Sequence, residues 1–224
     1  MYKEKNTSRW SNMSHGSFRK MIRESIHESQ KCQRNWDLDQ EISNEDEKLI
    51  IEAAQNAPSK QNLNFYKLRV IKNRSVIEDI HSKTKGFGPI YSDYDPDKPE
   101  TGKYNGSDEG EFYTNSQVMA NMVLAFCHDE PEIKREENDE TDGDRMMAVG
   151  LAAGYVNLVA TQLGYSTGCC KCFDDSIDLY GDKPILLMGV GLPDKTKNRR
   201  QHHSEDFTFP TLKKFKQIDT QIIV

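Results

Sequence analysis

The residues best equipped for chemistry fall in short, separated stretches. Pro58-Ser59-Lys60-Gln61-Asn62-Leu63-Asn64 puts a hydroxyl, a cation and three amides into one loop. Such a loop can hold a polar ring system, although the same composition serves ordinary turns. Lys31 and Arg34 flank Cys32 in a second stretch, where cations leaving a short connector can converge on a phosphate or stay solvated. Lys195, Lys197, Arg199 and Arg200 crowd a third stretch, again suited to a phosphate dianion or to plain solvation. Cys169-Cys170-Lys171-Cys172 gathers three thiols. A metal site there is disfavoured, because adjacent cysteines point apart and no second pair stands at zinc-finger spacing. Thiols without chemistry are the other reading, above all for Cys170. Phe87, Tyr91, Tyr94 and Tyr104 lie in a long Gly-, Pro- and Asp-rich segment, 86–111, that either covers a substrate or is an acidic surface insertion.

The intervening chain must position these groups. Ser17 reads as the N-cap of a helix to about Gln30, with Phe18, Met21, Ile22 and Ile26 at helical spacing. Ser43-Asn44-Glu45-Asp46 opens a second helix whose buried stripe is Leu49, Ile50, Ala53 and Ala54. Pro58 ends it. Tyr66 to Ile71 alternates as a strand, 75–83 is a short amphipathic helix, and Met122 to Cys127 is a buried strand. Asp142-Gly143-Asp144 starts the most apolar helix, in which Asn157 is the one polar residue between Met146 and Ala160; Gly164 stops it. Burial on nearly all sides follows, within a monomer core or against its own copy. Gly150 and Gly154, four apart, would let another backbone come close. Asp175 to Tyr180 reads as a short helix and Ile185 to Val190 as a strand. The tail, 207–224, is too apolar to hang free.

Composition narrows the class. The chain has 224 residues, enough for one sizeable domain, and a net charge of −6 that speaks against nucleic acid as the main partner. Five cysteines, three of them crowded together, suit a reducing compartment rather than a disulfide framework. The first residues contain no apolar signal-peptide core, and the apolar helix is shorter than the roughly 20 residues a membrane span needs. A cytoplasmic protein is expected.

Four motifs, in order, resemble the nitroreductase family of FMN enzymes. Ala57-Pro58-Ser59-x-x-Asn62-x-Asn64 before a strand is similar to that family's Ala-Pro-Ser-x-x-Asn-x-Gln segment. Arg34-Asn35-Trp36-Asp37 looks like the end of its first phosphate segment, with Gln30 and Cys32 in the usual Arg-x-Ser places. Leu151 to Thr167 looks like its core helix and exit, and Gly189-Val190-Gly191-Leu192-Pro193 like its last core strand and second phosphate segment. Where one version of the family's flavin-side turn has Pro-x-Glu-Gly, this chain has Cys169 to Cys172, so only backbone roles carry over.

The resemblance implies an α+β fold, a mostly antiparallel sheet flanked by helices, over a domain spanning 17–206. It follows an N-terminal extension, 1–16, and precedes a C-terminal extension, 207–224, that contacts the partner subunit of a homodimer. It implies FMN at the dimer interface, with phosphate near Lys31, Cys32, Arg34, Lys197 and Arg199. The ring would lie near Pro58, Ser59, Lys60, Asn62, Asn115, Gln117, Cys169, Cys170, Lys171 and Cys172. It implies NAD(P)H as donor and a small electron-poor acceptor, such as a nitroaromatic or quinone. No catalytic side chain is obligatory, because the cofactor does the chemistry. A flavin-binding homologue acting through its dimer surface, or another reaction of the fold such as dehalogenation or flavin fragmentation, is the alternative.

Overall fold

The computed structural model describes residues 14–84, 114–129, 140–196 and 218–223. Among the described residues, four α-helices flank one four-stranded sheet. The helices are α1 (His15–Glu28), α2 (Asn44–Gln55), α3 (Arg74–Ser82) and α4 (Glu140–Gln162). The strands are β1 (Tyr66–Ile71), β2 (Met122–His128), β3 (Ser166–Cys170) and β4 (Pro184–Gly191). Every strand pairing is antiparallel, in the order β1-β2-β4-β3.

Capping chemistry sets the helix starts. The Ser43 hydroxyl accepts the Asp46 N–H at 3.1 Å at the head of α2, as its sequence demands. Helix α1 differs from expectation: Ser14, not Ser17, is the cap, and Ser17 donates its N–H to it. The α2 stripe is also narrower, because Leu49 is exposed while Ile50 and Ala54 are fully buried.

Strand β2 is buried on both faces, which explains its unbroken apolar run. One face of the sheet packs Met122, Leu124, Phe126, Met188 and Val190 against α2 and α4. The other packs Val123, Ala125, Cys127 and Leu187 with Ile77, Ile80 and Ile177. Two expected elements change. Residues 175–180 form turns and an isolated Leu179–Asp182 bridge rather than a helix, with Tyr180 in the left-handed region. The segment after Gly164, expected as a turn, becomes β3 and closes one edge of the sheet.

Helix α4 departs most from expectation. It starts at Glu140, before the anticipated Asp142, and it is not buried all round. Ala148, Ala152, Val156 and Ala160 face the core, but Met147 is 59% exposed and Tyr155 is 47% exposed. With Gly150, Leu151 and Gly154 they form an open apolar stripe at helical spacing. A Cβ added at Gly150 or Gly154 would meet nothing within 4 Å. No described helix is long and apolar enough to cross a membrane.

Candidate functional site: the connector, the sheet edge and the strained loop

The connector after α1 runs along the free edge of β3. Cys32 forms a parallel bridge with Thr167, and the Gln33 N–H donates to the Thr167 carbonyl at 2.8 Å. Further on, Trp36 bridges Pro193, Asp37 donates its N–H to the Leu192 carbonyl, and Asp194 donates its own to the Asn35 carbonyl. Backbone pairing thus lays the first basic stretch beside the chain leaving β4. That chain continues through exposed Lys195 towards Lys197 and Arg199, which lie outside the described residues. Lys31 is exposed and pairs with Glu28, whereas Arg34 is only 8% exposed.

A short 3-10 turn, Ser116–Val118, lies against this edge. The Trp36 indole N–H donates to the Ser116 carbonyl at 2.9 Å. The Gln117 side-chain amide donates to the Cys32 sulfur at 2.7 Å and accepts from Asn115 Nδ2 at 2.9 Å. Asn115 Oδ1 also accepts the Gln117 N–H, and the Asn115 N–H donates to the Thr84 hydroxyl. Two glycines make room for the turn. Gly168 and Gly189 are cross-strand partners; a Cβ at Gly189 would sit 2.0 Å from the Gln117 carbonyl oxygen, and one at Gly168 would sit 2.6 Å from that of Gln33. The paired glycines are a bed for Gln117. Sequence inspection gives them no such role, because the contact spans distant parts of the chain.

Cys170 is buried on β3, and desolvation pushes its thiol up to about 12. Cys169 reaches solvent in the single chain, yet the protein packed around its base also pushes it up to about 12. Burial thus works against thiolate formation at both positions. Lys171 and Cys172 follow on the surface. Among the described residues no cluster of three His, Cys, Asp or Glu could hold a metal ion.

The Pro58 loop is built differently. Gln61, Asn62, Asn64 and Phe65 all have positive φ, between 54° and 62°. Asparagine tolerates this region; a bulky phenylalanine does not, so the loop stores strain of about 1–3 kcal/mol per outlier. Its turn is held by Ser59, whose hydroxyl accepts the Asn64 N–H at 2.9 Å. Lys60 pairs with buried Asp144 at 2.9 Å, and buried Arg145 donates to the Phe65 carbonyl at 3.2 Å. These contacts tie the loop to the start of α4. The connector is tied near its end, through Asn157. From Asp144 to Asn157 the helix rises about 20 Å at about 1.5 Å per residue. One chain therefore holds the two sets of candidate residues far apart. Phe87, Tyr91 and Tyr104 lie outside the described residues.

A cavity of about 750 Å³ opens elsewhere, between Lys67, His128, Asp129, Asp174, Asp182 and Lys183. Lys67 there lies 3.3 Å from Asp129 and 3.6 Å from Asp182.

The sequence matches the model of the nitroreductase family over residues 28–190. Solved structures with the same fold include a nitroreductase family protein from Clostridium novyi NT, 17% identical, covering 84% of this chain and 96% of that one with a TM-score of 0.55. Another, from Streptococcus pneumoniae TIGR4, is 17% identical over 81% of this chain and 92% of that one, TM-score 0.54. An FMN-dependent nitroreductase from Clostridium difficile R20291 is 15% identical over 75% of this chain and 86% of that one, TM-score 0.50. No curated protein matches. The family match spans the connector, the strained loop, α4 and all four strands, and the chain belongs to the nitroreductase family.

Proposed function

We propose that the chain is an FMN-dependent oxidoreductase that passes reducing equivalents from NAD(P)H to a small electron-poor acceptor, in the cytoplasm. The observation that carries this is the backbone pairing of Asn35, Trp36 and Asp37 with Leu192, Pro193 and Asp194, which joins the chain just after Arg34 to the chain just before Lys195, beside the Gln117 and Asn115 amides. That donor set fits the group: cations for a phosphate and amides for a ring edge. Bound FMN supplies a ring that takes up hydride from the nicotinamide and returns electrons to the acceptor. The chain binds and orients. Lys31, Arg34, Lys197 and Arg199 neutralise phosphate charge, with Cys32 between them. Gln117, locked by Cys32 and Asn115, still has one amide hydrogen and one lone pair to offer. The backbone from Cys169 to Cys172 lines the other side.

Pro58, Ser59, Lys60 and Asn62 belong to the same site only if a second copy supplies them. The open stripe on α4 supports such a homodimer, because antiparallel packing of two α4 helices lays each loop beside the other chain's connector. Ile218, Ile222 and Ile223, the last 87% exposed, are surplus to this chain's own core and suit the partner's surface. The stripe would serve a dimer without flavin chemistry equally well, which is the competing reading. Titration of the flavin-free protein with FMN, followed by flavin fluorescence, separates the two. Saturable binding at one FMN per chain is expected; no binding would favour the competing reading.

A further inference from the structure

Helix α4 carries an amide where its neighbours are apolar, and burying an amide is costly unless it is bonded. Asn157 is bonded at both ends. Its Nδ2 donates to the Ser29 carbonyl at 2.8 Å, and its Oδ1 accepts the Thr167 hydroxyl at 2.6 Å. Thr167 in turn accepts the Gln33 N–H on its carbonyl at 2.8 Å. Ser29, Gln33, Thr167 and Asn157 thus close a ring of three hydrogen bonds. The arc of chain inside it carries Lys31 and Cys32, and Cys32 reaches on to Gln117.

We infer that Asn157 is a positioning residue for the cofactor site: it fixes the arc from Ser29 to Gln33 against β3 and so sets where Lys31 and Cys32 stand. The inference rests on the proposed flavin site but not on any contact between Asn157 and the flavin. Only an amide does both tasks at this length. Aspartate keeps the acceptor for Thr167 and loses the donor to Ser29; leucine fills the space and loses both.

The test uses the full chain and the variants Asn157→Leu, Asn157→Asp and Thr167→Val. Asn157→Leu should raise the Kd for FMN about tenfold and change the absorbance envelope of the bound flavin. Asn157→Asp and Thr167→Val should each raise Kd about threefold. Combining Asn157→Leu with Thr167→Val should be no worse than Asn157→Leu alone, since both remove the same link. In the flavin-free chain, alkylation of Cys32, read by mass spectrometry, should be several-fold faster in Asn157→Leu. A folded Asn157→Leu variant with unchanged Kd, flavin spectrum and Cys32 alkylation overturns the inference. If that variant does not fold, unchanged Kd in both Asn157→Asp and Thr167→Val overturns it instead. A wild-type chain that binds no FMN refutes the cofactor reading, and Cys32 alkylation then decides the ring alone.

Discussion

The connector and the Pro58 loop are both candidate cofactor segments, and they are held in opposite ways. The connector is woven into the sheet edge by backbone bonds and by amides at Gln117, Asn115 and Asn157, with ordinary dihedrals. The loop is tethered through Ser59, Lys60 and Arg145 while four of its residues sit at positive φ. One half is prepared within the chain; the other is kept cocked at the far end of α4. Strain of this kind persists where the surroundings over-determine it, commonly at ligand sites. Under the proposed function the contrast sets a relaxed half, which would receive ligand phosphate, against a strained half, which a second copy would supply.

The sharpest way to break the prepared half is Gly189→Ala. Its Cβ would meet the Gln117 carbonyl at 2.0 Å, so the 3-10 turn must leave its bed. A loss of about 3 kcal/mol in unfolding free energy, together with loss of FMN binding, is expected from denaturant titration and flavin fluorescence. Wild-type values for both would show that the turn tolerates displacement. Tyr155→Asp attacks the meeting of the halves. Tyr155 is half exposed in the single chain, so the fold should survive while the dimer dissociates. Sedimentation should report a monomer, and FMN affinity should fall about a hundredfold, near 2.7 kcal/mol. A flavin-replete monomer would sever the link between assembly and site. Arg199→Ala should weaken FMN binding by about 1.5–3 kcal/mol, the range for a charge-assisted hydrogen bond; an unchanged Kd would move the phosphate elsewhere.

An effect absent at neutral pH is a pH dependence of stability. Burial pushes the Cys127 thiol up to about 11 and that of Cys170 up to about 12 in the fold, whereas an unfolded cysteine titrates near 9. The unfolded chain therefore loses protons first, and stability should decline as pH rises from about 9 towards 11–12. Cys127→Ala and Cys170→Ala together should make that decline shallower, with Cys169 still contributing, as followed by urea unfolding between pH 8 and 11.

How much of this is legible in the sequence varies with the range of the interactions. Ser43, Pro58 and Gly164 mark their boundaries through local backbone chemistry, and the unbroken run in β2 reports burial on both faces. The donor-rich loop and the two basic stretches stand out by residue type alone. The bed formed by Gly168 and Gly189, the Gln117–Cys32 bond and the Asn157 ring do not, because each joins residues distant in the chain. Strand β3 escapes sequence reading because Ser166-Thr167-Gly168-Cys169-Cys170 lacks the bulky alternation that marks a strand; edge pairing, not propensity, makes it extended. Helix α4 misleads in an instructive way. Its all-round apolarity reads as burial, but one stripe of it is open, and the residues there are small or large apolar side chains awaiting another surface.

In the proposed function the connector, β3 and the Gln117 turn hold a flavin that exchanges electrons with a nicotinamide. This is tested most directly by the absorbance of the purified protein reconstituted with FMN, between about 300 and 550 nm, before and after anaerobic addition of NADH or NADPH. Protein-bound flavin bands should bleach on adding one of the nicotinamides and return when a quinone or nitroaromatic is supplied. Bands that persist under both nicotinamides would contradict the proposed donor, and a protein that retains no FMN after gel filtration would contradict the site itself.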